Sequence, residues 1–269
     1  MIVGVKNLKQ NILFFLELFF LLASNVLYFF HYGTVAYIAD LRHIDFGKYL
    51  LTSFDKWIPY VDWFLPFYLF GFFFPFLILI SLLITKVVSI DDIRKIACAM
   101  FMLISFAFVI YLVFPTSMSP LIESLKFSSY NNFLFAEFFS NYNKHSMPNF
   151  NAFPSLHVGI PWLMLLSLSK YLRLDNLSKK IFAGIMWVIF LCIVLATVTL
   201  KYHYTLDLFL GTIAAYFSYY VAIKADFFRT NLWSEFFGVR HLLFMEAMVF
   251  SIILICYIIA YPTYMQIGH

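Results

Sequence analysis

The chain has 269 residues, of which 63% are hydrophobic, 22% aromatic and 12% charged, against roughly 45–50% apolar and 25% charged in an ordinary soluble domain. With 36 Phe, nine Gly, nine Pro and three Cys, disordered, collagen-like and disulfide-scaffold classes are excluded. The net charge of +4 is small and dispersed and argues against nucleic acid as a partner, which leaves an all-α, polytopic transmembrane helical bundle.

A bilayer core needs about 20 mainly apolar residues per helix. Runs of that character, bounded by charge or by Pro, Gly and Asn, predict about seven spans: Asn11 to His31, Trp63 to Thr85, Lys95 to Phe114, His157 to Tyr171, Ile181 to Thr199, His203 to Ile223 and His241 to Tyr261. The first follows Lys6 and Lys9 in the manner of a signal peptide, but its apolar run is too long and no small-x-small cleavage site closes it, so it is read as a span. The fourth is short, and its Pro161 is expected in the first helical turns, where proline is tolerated. Cys98, Cys192 and Cys256 fall inside apolar runs without ligand spacing and read as small buried hydrophobes. Glu17 and Glu246, also within spans, suit interhelical hydrogen bonding. No internal repeat occurs, and one integral domain over residues 1–269, with a motif-bearing core at about 54–223, is the economical division.

Seven alternating spans sort the 18 basic residues into twelve on the side of the N-terminus and six on the other. By the positive-inside rule the N-terminus is cytoplasmic, and the second side is periplasmic, extracellular or lumenal. That outward side holds a segment from Gly33 to Asp62, a loop from Pro115 to Pro154 and a tight link at Leu200 to Tyr202. The apolar stretches of the long loop, such as Phe133-Leu134 and Phe138-Phe139, are too interrupted to span and suit interfacial helices.

His157 and His203 each open a span on the outward side. Asp207 follows His203 by four residues, which on a helix puts carboxylate and imidazole on one face. A carboxylate inside an apolar span costs several kcal/mol unless paired, and His203 is the nearest partner. A structural ion pair explains that spacing too, but a second histidine at the same face, after a Ser155 able to cap its helix and beside Lys201, favours chemistry. Phosphoryl transfer fits. A neutral imidazole attacks phosphorus when its other nitrogen donates to a carboxylate, as His203 with Asp207 allows. His157 supplies the proton to the leaving oxygen, while Ser155, the N-terminal amides of the fourth span and Lys201 hold phosphate oxygens.

These residues resemble a family. Asn151-Ala152-Phe153-Pro154-Ser155-Leu156-His157 and His203-Tyr204-Thr205-Leu206-Asp207 look like the second and third signature motifs of the type 2 phosphatidic acid phosphatase superfamily. Ala-Phe-Pro-Ser-Leu-His and His-Tyr-x-x-Asp are closest to its inositol phosphorylceramide synthase-like branch, and His-Tyr-Thr-x-Asp is also similar to sphingomyelin synthases. Trp57 to Tyr68 and Phe114-Pro115-Thr116-Ser117 resemble further segments of that branch, so the likeness covers about Phe54 to Gly211. It implies a six-span core, a phosphohistidine intermediate, no metal or other cofactor, and lipid phosphates or phospholipid head groups as substrates. His203 takes the position of the nucleophile, Asp207 that of its orienting acid and His157 that of the acid/base.

The chain departs from the common phosphatase pattern at three cations and one glycine. Leu112 and Ser119 stand where the first motif has Lys and Arg, Thr197 stands six residues before His203 where Arg is expected, and Leu156 replaces Gly. Another cation must then balance the phosphate charge. Lys201 is the first candidate, and Lys144, His145, Arg42 and Lys56 are loop candidates. The departure favours transfer to a lipid or polyol hydroxyl over simple hydrolysis. Two rival readings use the same residues: a mononuclear metal site of His157, His203 and Asp207, and a transporter with Asp207 as its ion site. The fifth span carries no side chain to coordinate an ion, which counts against the transporter.

Overall fold

A computed structural model describes residues 45–85, 87–124 and 152–225. The expected first and seventh spans, the interfacial stretches of the long loop, Glu17, Glu246, Cys256, Arg42, Lys144 and His145 lie outside the described residues.

The described chain is all-helical. Two short helices, α1 (Gly47–Leu50) and α2 (Ser53–Trp57), precede a 3-10 turn (Asp62–Phe64), α3 (Leu65–Phe70) and α4 (Phe74–Ile84). Then follow α5 (Ile90–Val113), α6 (Ser119–Ser124), α7 (Leu156–Tyr171), α8 (Leu177–Thr199) and α9 (Thr205–Tyr219), which runs on into a π turn (Tyr220–Lys224). The starts follow local chemistry: Ser89 and Asp92 form a capping box on α5, Thr52 and Asp55 another on α2, and Asn176 caps α8.

Three described helices are long and apolar enough to cross a membrane: Asp91–Val113, Leu177–Thr199 and Thr205–Lys224. These coincide with the expected third, fifth and sixth spans, and a seven-span arrangement is not shown. The expected second span is broken. Pro75, in the first turn of α4, has no N–H to give back to Gly71; Gly71 N–H is shared between Phe67 and Tyr68, and residues 72 and 73 close on i→i−3 bonds, Phe72 to Leu69 and Phe73 to Phe70. The expected fourth span, α7, has 16 residues, a rise of about 24 Å against the ~30 Å of a hydrocarbon core. Its Pro161 lies deeper than the first turn and leaves the His157 carbonyl without a helical donor.

Short as it is, α7 is the innermost helix, packed against α4, α5, α8 and α9, with Val158, Leu163 and Leu165 fully enclosed. The outer surfaces are apolar as well: Phe209, Ile213 and Phe217, spaced i, i+4, i+8 along α9, are all about 60% exposed. A bundle apolar inside and out is built for lipid rather than water. Helices α7 and α9 approach closely through glycines on both sides, and at Gly211 no side chain fits without a shift of the backbone. A Cβ at Gly211 would stand 2.5 Å from the Ser155 carbonyl oxygen, and one at Gly159 would stand 3.1 Å from the Gly211 oxygen.

Candidate active site

Helix direction brings the ends of α5, α8 and the starts of α7 and α9 to one end of the bundle. There the stretch after α5 acts as a template: Ala152 N–H donates to the Thr116 carbonyl (3.2 Å), Phe153 N–H to Thr116 Oγ1 (2.9 Å), and Tyr111 O–H to the Pro154 carbonyl (2.8 Å). Tyr204 O–H donates to the Ser117 carbonyl (2.8 Å), and Ser155 N–H to the Asp207 carbonyl (3.1 Å). The two histidine-bearing segments, 152–157 and 203–207, are thereby fixed to each other through main-chain groups.

His203 Nδ1 lies 2.7 Å from the Ala152 carbonyl oxygen and 3.3 Å from Asp207 Oδ2. The Ala152 carbonyl can only accept, so Nδ1 carries a proton, and in the neutral ring the lone pair then lies on Nε2. Asp207 was expected as the partner; the nearer acceptor is Ala152, which sequence reasoning missed because a backbone carbonyl leaves no trace in residue identity. The same Asp207 oxygen accepts the Tyr204 N–H (2.8 Å) and so begins α9. The His157 and His203 ring centroids are 5.8 Å apart. His157 stacks on Tyr68 (4.3 Å), which stacks in turn on Tyr202 (4.6 Å), and Phe72 meets His157 edge-on (4.6 Å).

Three buried polar atoms here have no hydrogen-bond partner: Ser155 Oγ, His157 Nε2 and Asp207 Oδ1. Ser155 stands at the N-cap of α7, yet its hydroxyl makes no cap bond, contrary to the sequence expectation. Buried polar atoms of this kind each cost about 1–3 kcal/mol when left unmade, which fits a site whose donors are meant for a ligand.

Lys201 is buried and takes a left-handed backbone conformation (φ 60°) that costs a non-glycine residue about 1–2 kcal/mol. Its ammonium donates to the Asp55 (2.8 Å) and Ile58 (2.6 Å) carbonyls. Burial pushes its pKa below the ordinary lysine value, and the Asp55 charge opposes that shift. Asp55 was also missed in the sequence, although Thr52-Ser53-Phe54-Asp55 has capping-box spacing. Its carboxylate accepts Thr205 N–H (2.7 Å) and Thr205 Oγ1–H (2.5 Å), and on its other oxygen Thr52 N–H and Oγ1–H. Among the loop cations, Lys56 is exposed. The Thr197 that stands for an expected arginine is fully buried, bonds Val194 through its hydroxyl, and accepts the Tyr202 and His203 N–H groups on its carbonyl.

Among the described residues, no group of three His, Cys, Asp or Glu side chains is arranged to hold a metal ion. The protonated Nδ1 of His203 between two acceptors also leaves Asp207 and that nitrogen unable to ligate together.

No curated protein and no solved structure matches the chain. Residues 41–221, more than half of its length, match the PAP2 superfamily, and the chain therefore belongs to that superfamily of lipid phosphatases and phosphotransferases.

Proposed function

We propose that this protein is a metal-independent lipid phosphotransferase or phosphatase of the inositol phosphorylceramide synthase-like branch, working through a phosphohistidine. One observation carries the reading: His203 Nδ1–H is held by Ala152 and Asp207, so Nε2 presents a lone pair beside His157. In the first step the Nε2–P bond forms and the bond from phosphorus to the lipid oxygen breaks, with His157 giving that oxygen its proton. In the second, His157 takes a proton from the acceptor hydroxyl, or from water, as its oxygen displaces His203 from phosphorus. Ser155 Oγ and the first N–H groups of α7 hold the phosphate oxygens. Lys201 brings positive charge to the edge of the site with its one remaining N–H, and Lys144 is a second phosphate ligand. Transfer rather than hydrolysis is supported by Leu112, Ser119 and Thr197 in place of three phosphatase cations, because fewer charges suit a phosphodiester better than a dianionic monoester. The basic ends of the helices face the cytoplasm and the histidines the opposite side.

The test is mass-spectrometric product analysis of detergent-purified wild type and His203→Ala with a panel of lipid phosphates, phospholipids, ceramide and diacylglycerol in excess EDTA. A new head-group lipid from wild type alone is the expected result, and a dephosphorylated lipid alone would make the enzyme a phosphatase. Near-normal turnover by His203→Ala, or activity only with added divalent metal, would overturn the mechanism.

A further inference from the structure

The segment before α3 has no place in the chemistry just described, yet its carboxylate is more thoroughly engaged than any other among the described residues. Asp55, 2% exposed, uses one carboxylate oxygen on its own helix start at Thr52 and the other on Thr205, 150 residues away. In the reverse direction Lys201 reaches back, its ammonium on the main-chain oxygens of Asp55 and Ile58. Val61 N–H adds a third link, to the Thr199 carbonyl (3.2 Å). His203 stands between the two anchored residues, with Lys201 two positions before it and Thr205 two positions after.

Two features of this crossing are costly for a purely structural tether. Lys201 holds a left-handed backbone, and a long charged side chain is enclosed with two neutral acceptors. Their joint effect is to fix both flanks of the 201–205 turn against one external frame, while the imidazole's own hydrogen bonds go to Ala152 and Asp207 and not to Asp55 or Lys201. The imidazole's own proton bond, 2.7 Å to Ala152, belongs to a different segment, and it stays short only if the turn stays in register with residues 152–155.

We propose that Asp55 and Lys201 form a reciprocal clasp that positions His203, making Asp55 a positioning residue that keeps the imidazole in its Nδ1–H tautomer and Nε2 ready to attack. The proposal rests on the reading of His203 as nucleophile, but its primary test does not depend on turnover.

Full-length protein labelled with ¹⁵N-histidine in detergent micelles is examined by NMR, with His203 identified as the signal lost in His203→Gln. Wild type is expected to show one tautomer at His203, protonated on Nδ1. Asp55→Asn keeps the size but loses the charge and sets an NH2 donor where one of the two oxygens accepts N–H and O–H groups, so one arm of the clasp is broken; it is expected to give a mixture of tautomers while still melting cooperatively. Thr205→Val, which removes only the hydroxyl, is expected to shift the signal the same way, and Thr205→Ser to restore it. Should Asp55→Asn fail to fold, the Thr205 pair carries the test. A folded Asp55→Asn or Thr205→Val with the wild-type tautomer would overturn the clasp as a positioning device. In any lipid assay the enzyme supports, Asp55→Asn is expected to lower kcat by about tenfold or more, with KM little changed, as misplacement of a reacting group does. Wild type with the expected tautomer but inert toward every lipid offered would overturn the proposed function and leave the clasp standing.

Discussion

At His203 the proton on Nδ1 is shared between a backbone carbonyl at 2.7 Å and a carboxylate at 3.3 Å, so the carboxylate does not hold the ring alone. Asp207→Asn is therefore expected to reduce kcat by about 10²-fold, less than the ~10⁴-fold lost when a triad's carboxylate is the sole orienting group. A full 10⁴-fold loss in single-turnover measurements would show that Ala152 does not hold the tautomer. Asp55 makes a separate prediction. Burial alone would raise its carboxyl, but hydrogen bonds from Thr205 and Thr52 outweigh burial and hold it below the ordinary range. A carboxylate depressed on folding contributes stability that is complete above its unfolded pKa, about 3.9, and is lost as pH falls through the lower native value. Melting temperatures of wild type are expected to drop on acidification in that window, and those of Asp55→Asn to drop less; parallel curves would remove Asp55 from the acid response. His157, His203 and Asp207 stand out in the sequence because they lie at span boundaries, but His203 sits in the turn before α9 and not on the helix, so it reaches Asp207 through the turn and not through i, i+4 helical spacing. Ala152 and Asp55 do not stand out, because one acts through its backbone and the other through a partner 150 residues away.

Among the elements, the α7–α9 contact sets the depth of the whole site, since Gly211 lies four residues beyond Asp207 and directly against Ser155. Gly211→Ala would force the helices apart by several tenths of an ångström, an overpacking that costs about 1–3 kcal/mol. A lowered Tm together with a lowered kcat is expected, because Ser155 and Asp207 move with their helices. Gly184, on α8, has nothing within 4 Å of its missing Cβ, so Gly184→Ala is expected to stabilise by about 0.5–1 kcal/mol through helix propensity alone. Equal melting shifts for the two variants would refute the packing argument. The long helices α5, α8 and α9 were readable from hydropathy and their caps. The break at residues 71–73 was not, because the run from Trp63 to Thr85 is apolar throughout and only Gly71 and Pro75 flank the interruption. Helix α7 was placed correctly and its shortness was readable from the sequence, but its central position follows from packing that no local pattern encodes.

For the whole molecule, the exposed aromatics report how deep the site lies. Trp57 is 84% and Trp63 74% exposed, and both flank the segment clasped to the His203 turn, whereas Trp187 lies at the middle of α8. Tryptophan favours the headgroup level. Quenching by brominated lipids is expected to be strongest for a Trp57-only variant when bromine is near the headgroups, and for a Trp187-only variant when bromine is near the bilayer centre. The reverse ranking would place the histidines deep in the hydrocarbon. Cysteines introduced at Lys179 and Lys56 are expected to label from opposite faces, cytoplasmic and outward respectively; labelling of both from one face would invalidate the topology drawn from charge. One oxygen atom, Asp207 Oδ2, both starts α9 by accepting Tyr204 N–H and steers the imidazole of His203. A change at position 207 would therefore disturb the start of α9 and the orientation of the His203 ring together. The five residues from His203 to Asp207 are expected to respond to substitution as one unit, so that loss of helix content at the start of α9 and loss of ring order should appear in the same variants.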